Sequence, residues 1–144
     1  MYWRSLHEAA CPRSAGRVGQ VRANWSDVYR IPSDLDLSPV VGEFTTQVRV
    51  GQFDLQFTFG AVNFVAQSPV RLLRGGKIVA EWGEGRWPDP GFFDIMNTAA
   101  CRCDIVDDRH IEIEFENGLT MLLVDDSDQY ECLLITVDGH LWVI

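Results

Sequence analysis

Residues 110–124 read HIEIEFENGLTMLLV, and the way this stretch folds back on itself decides the fold. Ile111, Ile113 and Phe115 alternate with Glu112, Glu114 and Glu116, the period-two pattern of a half-buried strand. Asn117-Gly118 then marks a hairpin. Two registers compete. A two-residue Asn-Gly turn pairs Glu116 with Leu119 and sets Glu112 and Glu114 beside Leu123 and Met121. A three-residue loop, Glu116-Asn117-Gly118 with Gly118 left-handed, pairs Phe115 with Leu119. Phe115, Ile113 and Ile111 then share a face with Leu119, Met121 and Leu123. Because a slip of one residue flips every side chain, the apolar pattern selects the three-residue loop. The opposite face is left with Glu112, Glu114, Thr120, Leu122 and Val124.

Outward from this hairpin, strands recur with short links. Thr45–Val50 is β-favouring, and Gly51-Gln52 reads as a turn. Phe53, Leu55, Phe57 and Phe59 alternate with polar residues, and Val62, Phe64 and Ala66 continue the pattern. Ser68-Pro69 interrupts it, since proline cannot sit in a central ladder. Residues 70–82 form a second hairpin about Gly75-Gly76. Asp89 reads as an N-cap with Pro90 at the first helical position, and Phe92, Ile95, Met96 and Ala99 follow helical spacing. This predicts one short amphipathic helix over residues 90–100. Short strands follow at residues 104–107, 132–137 and 140–144. Consecutive strands with short links imply antiparallel meanders and not βαβ crossovers. The fold class is α+β, mainly antiparallel β, as a single rolled sheet or a small sandwich with one short helix.

The chain has 144 residues, enough for one domain with a sizeable core. Residues 1–30 read as an N-terminal arm or extension, with a turn of helix near residues 3–10 and Trp25 and Tyr29 as anchors. Residues 31–144 form the β-rich domain. Net charge is −9 and the isoelectric point is near 4.6. That excludes general nucleic-acid binding and docking on anionic membranes, both of which need basic surface. The charge is also uneven. Residues 1–30 carry five arginines against Glu8 and Asp27, whereas residues 104–144 carry eleven acids against Arg109 alone. The first residues contain no apolar run of signal-peptide length. No stretch approaches the ~20 apolar residues of a membrane span. Cytoplasmic location and four reduced thiols, at Cys11, Cys101, Cys103 and Cys132, are the expectation.

From the helix onward the sequence resembles a bacterial family of small acidic proteins known only as a domain of unknown function. The matching run is the short helix, then Phe115-Glu116-Asn117-Gly118-Leu119, Asp125-Asp126, Tyr130-Glu131 and a closing pair of strands. With a looser fit around residues 53–67, the resemblance covers roughly residues 40–144. It implies an immunity-type or accessory protein and supplies no catalytic residues.

The chemistry-bearing residues are few. Cys101-x-Cys103 with His110 offers three zinc ligands, but the paired spacing and a fourth ligand are missing, and packing at a helix-to-strand junction explains the cysteines better. Asp125, Asp126, Asp128 and Glu131 lack the spacing and glycine of a calcium loop and read as a solvated turn. A Cys–His nucleophile has no supporting local signature, and neither Gly75-Gly76 nor the loop of residues 83–88 resembles a phosphate loop. No cofactor or metal is expected. The acidic face is the stronger candidate. Glu112, Glu114, Glu116, Leu122, Asp125, Asp126 and Asp128 form a proposed partner-binding set, combining charge for steering with apolar area for affinity. Competing explanations are an edge kept soluble by charge, and cover of Leu122 and Val124 by the N-terminal arm. The expected function is a non-enzymatic binding protein, most concretely an immunity or antitoxin-type inhibitor of a basic partner such as a toxin. The alternatives are a structural or regulatory accessory domain, and a small hydrolase.

Overall fold

The computed structural model describes residues 30–144. Among them, the alternating stretches become ten strands in two five-stranded sheets, with every named pair antiparallel. The first sheet runs β1 (Thr45–Val50), β2 (Leu55–Phe59), β3 (Val62–Ala66), β9 (Leu133–Val137) and β10 (His140–Val143). The second runs β5 (Lys77–Trp82), β4 (Val70–Arg74), β8 (Leu119–Val124), β7 (His110–Phe115) and β6 (Ala100–Asp107). Leu55, Phe57, Phe59, Val62, Phe64 and Ile135 from the first sheet join Leu72, Ile111, Ile113, Phe115, Met121 and Leu123 from the second in one buried cluster. The Phe59 and Phe115 rings stand 6.1 Å apart where the two inner faces meet. The architecture is therefore a sandwich, the period-two apolar residues of each sheet filling the space between.

The β7–β8 hairpin takes the register its apolar pattern selects. Ile113 pairs with Met121, Ile111 with Leu123 and Glu112 with Leu122. Gly118 adopts φ +88°, and its N–H donates to the Phe115 carbonyl at 3.0 Å. That left-handed position is one glycine accepts without penalty. Arg74 and Asn117 secure the tip: Arg74 Nη1 donates to the Asn117 carbonyl at 2.9 Å, and Asn117 Nδ2 to the Asp94 carbonyl at 2.8 Å.

Two local expectations are corrected. The helix expected over residues 90–100 is a six-residue 3-10 helix, Pro90–Ile95, and no α-helix occurs among the described residues. Tertiary pairing ends it early. Met96 is already extended and bridges Thr45, while Ala99 bridges Phe44. Ala100 N donates to the Glu43 carbonyl at 2.8 Å and thereby begins β6. Asp89 occupies the N-cap position, but its Oδ2 instead accepts from Glu81 N on β5 at 3.0 Å. Phe92 and Ile95 are buried, and an i, i+3 pair is what a 3-10 turn aligns. Phe53, expected inward, is 58% exposed in the β1–β2 turn, where Gly51 N donates to the Asp54 carbonyl.

Residues 31–43 position the site. They run antiparallel along the outer edge of β6, held at one end by Ile31 N on the Asp108 carbonyl (2.9 Å) and at the other by Gly42 N on the Ala100 carbonyl (2.7 Å). Leu35, Leu37 and Val40 anchor this segment in the core, and Ser38–Val40 is a 3-10 turn. The segment thus meets the outer edge of β6 at its two ends. The helix near residues 3–10 and the anchoring roles of Trp25 and Tyr29 lie outside the described residues, as does all of the arm except Arg30.

Candidate binding groove

Alternation along β6, β7 and β8 sends one set of side chains outward, and the registers align them in rows. Asp104 pairs with Glu112, which pairs with Leu122. One row along, Arg102 pairs with Glu114, Glu114 with Thr120, and Thr120 with Leu73. Residues 33–41 rise beside this face. Between them lies an open groove of about 1380 Å³, walled by Ser33, Asp36, Ser38 and Val41 and floored by Asp104, Glu112, Glu114, Thr120, Leu122 and Leu73.

The groove is acidic. Among the described residues, five carboxylates, those of Asp36, Asp104, Asp107, Glu112 and Glu114, line it against the single guanidinium of Arg102. Arg102 lies 2.9 Å from Asp104 and 3.2 Å from Glu114, which is only 7% exposed. Glu112 makes no ion pair among the described residues, although Asp104 is its direct cross-strand neighbour. Like charges opposite one another destabilise a sheet. Asp36 stays ionised readily, because hydrogen bonds from the Ser38 hydroxyl and N–H hold its carboxyl below the usual range. Burial raises Asp107, but hydrogen bonds from the His110 ring and the Arg109 N–H outweigh it, and its net shift is downward.

The seven proposed partner-binding residues divide into three places. Glu112 and Leu122 share the groove floor with Glu114. Glu114 is buried and ion-paired, which corrects its expected exposure. Glu116 is exposed at the hairpin tip, at the opposite end of β7 and β8 from Asp125, Asp126 and Asp128. Asp125 is fully buried; its Oδ2 lies 3.5 Å from Arg30 Nη1, and its Oδ1 accepts from the Cys132 thiol at 3.2 Å. Asp128 is held by Arg30 at 2.7 Å and by Arg109. Only Asp126 of the three is exposed without such an engagement. This cluster ties the chain at Arg30 to the β8–β9 crossing. Sequence reading missed Asp36 and Asp104. Segment 31–41 has no periodicity, and a bulge between Ala100 and Arg102 resets the alternation that would have marked Asp104 as outward.

The cysteines behave differently from expectation. Cys101 is disulfide-bonded, so four free thiols is corrected; Cys103 and Cys132 are free. Cys103 packs against the core, and burial with the Asp104 charge pushes its thiol up to about 12. His110 Nδ1 sits 2.7 Å from an Asp107 oxygen. Among the described residues no three His, Cys, Asp or Glu side chains converge as metal ligands. Nor is any helix there long and apolar enough to cross a membrane. No family model matches the chain, and neither a curated protein nor a solved structure matches it.

Proposed function

We propose that this chain is a non-enzymatic binding protein whose groove receives a basic segment of a protein partner. The observation behind this reading is the Asp104–Glu112 row: two carboxylates placed side by side, at a cost to the sheet, on the floor of a concavity. A cationic guest relieves that repulsion, and Leu122 and Leu73 beside it supply apolar contact. Charge of one sign in a walled cleft also speeds encounter with the opposite sign. In its most concrete form the protein is an immunity-type inhibitor. Toxins that attack nucleic acids carry basic surface, which an acidic groove fits by taking the place of phosphate.

The test uses the product of the neighbouring coding region as candidate partner. Asp104→Lys with Glu112→Lys should slow its association with the full chain while leaving the urea midpoint near wild type. Wild-type association should itself slow between 0.1 and 1 M salt, as the screening length falls from about 10 Å to about 3 Å. Equal association rates for wild type and the double variant at low salt would reject the groove as the steering surface.

A further inference from the structure

Among the described residues, backbone bonds tie β6 to residues 31–43 at two places. Ile31 N donates to the Asp108 carbonyl, and Ala100 bonds to residues 42 and 43. Eleven residues lead from Ile31 to Gly42, but only eight from Ala100 to Asp108. The longer segment therefore cannot match β6 residue for residue between the ties. The groove opens in that interval, and residues 101–107 of β6 line it without a break.

Backbone alternation decides what β6 presents there. Ala100 turns both its N–H and its carbonyl outward, to residues 42 and 43. Past the bulge at residues 100–102, Asp104 turns its own toward Glu112 on β7. Cys103 and Ile105 turn theirs outward, and among the described residues no backbone bond reaches them from that side. The geometry points to a docking edge: an extended basic segment of a protein partner adds to β6 as an antiparallel strand, exchanging backbone hydrogen bonds with Cys103 and Ile105. This rests on the reading of the groove as a site for basic segments and fixes the conformation in which one is held.

Charge names the occupant. The guest residue opposite Asp104 sits in a non-hydrogen-bonded pair, where facing side chains come closest. Its side chain lies on the outer face beside Asp104 and Glu112, so lysine or arginine there meets two carboxylates. An acidic residue at the same position meets repulsion instead. The guest residues on either side point the other way. They face the side of β6 on which Cys103 and Ile105 pack against the core, as do Leu35 and Leu37, which also line the groove. Apolar groups suit those two positions. The partner's motif is thus apolar–basic–apolar in extended chain, recognised through backbone bonds and alternate side chains together.

The probe is a capped peptide, Thr-Lys-Val-Lys-Val-Lys-Thr, titrated into the full chain beside the same peptide N-methylated at both valines. Methylation keeps the charge and removes the valine N–H groups that face β6. The parent peptide should bind, and the methylated one should bind about tenfold more weakly or worse. Amide exchange at Cys103 and Ile105, followed by NMR, should slow by about tenfold or more when the parent peptide saturates the chain. Unchanged exchange at both amides would overturn the strand pairing. Equal affinity of the two peptides, with both lost in Asp104→Lys with Glu112→Lys, would also overturn it while leaving the acidic groove as a site. Failure of the parent peptide to bind, or equal binding to the double variant, would overturn the groove reading as well.

Discussion

Arg102 Nη2 stands 3.2 Å from Glu114 Oε2 across the β6–β7 ladder, and it meets a carboxylate that the fold has largely withdrawn from water. A buried carboxylate of this kind depends on its partner more than an exposed one does. Arg102→Ala should therefore destabilise by about 1–3 kcal/mol. Glu114→Gln keeps the shape and removes the charge, so it should cost less. Urea midpoints decide the matter; an unchanged midpoint in Arg102→Ala would mean that Glu114 is held by other contacts.

Phe115 and Glu112 lie three positions apart on β7 and face opposite ways. Phe115 is fully buried, so Phe115→Ala should cost about 3–5 kcal/mol. Glu112 is a groove-floor residue with water access, and Glu112→Ala should stay within about 0.5 kcal/mol. Comparable losses in the two variants would contradict the inward and outward faces described for the hairpin.

Gly91 sits where the 3-10 helix presses on β5. A Cβ there would come within 2.9 Å of the Ala80 Cβ. Gly91→Ala should thus destabilise by about 1–3 kcal/mol despite alanine's better helical propensity. Thermal unfolding of this single variant is enough to check it, a stabilised protein being the contrary result.

Two groups contribute at the edges of the stability profile. Asp128 is held below the usual carboxylate range by hydrogen bonds from Arg109 and then Arg30. Its contribution is present above the unfolded carboxylate's pKa and is lost as pH falls through the lower folded value. At the other end, burial and the Asp125 carboxylate push the Cys132 thiol up to about 11. That contribution is complete below the unfolded thiol's pKa of about 9 and is lost as pH rises toward about 11. Asp128→Asn should flatten the acid limb, and Cys132→Ala the alkaline one. Urea melts across pH would reveal it if either limb kept its full slope.

Much of the fold was legible because period-two patterns survive wherever one face is buried. Ile111, Ile113 and Phe115 fixed a register to the residue, and residues 70–74 and 77–82 matched β4 and β5. The helix over residues 90–100 failed for a non-local reason. Phe92, Ile95, Met96 and Ala99 do have helical spacing, but the backbone of residues 96–100 finds partners in residues 43–45 instead. The site was legible by half. Glu112 and Leu122 belong to the hairpin, whereas Asp36 reaches the groove through a segment whose path is set by the β6 edge. Asp125 and Asp128 look like solvent-facing acids in sequence, and only the fold brings Arg30 and Arg109 to them.

The chain passes from one sheet to the other twice, after β3 and after β8, and the two passages lie side by side. Gln67 N donates to the Cys132 carbonyl at 2.9 Å, and the Ser68 hydroxyl to the Val124 carbonyl. As a result β3 borders β9, and β4 borders β8. During synthesis β3 therefore waits, with an unpaired edge, while some seventy further residues are made. The β1–β2–β3 and β6–β7–β8 meanders can form early from local contacts, but neither passage can close until β9 arrives. Distant strand pairing of this kind slows folding. The interval before β9 emerges is when the exposed β3 edge is open to pairing with another nascent chain.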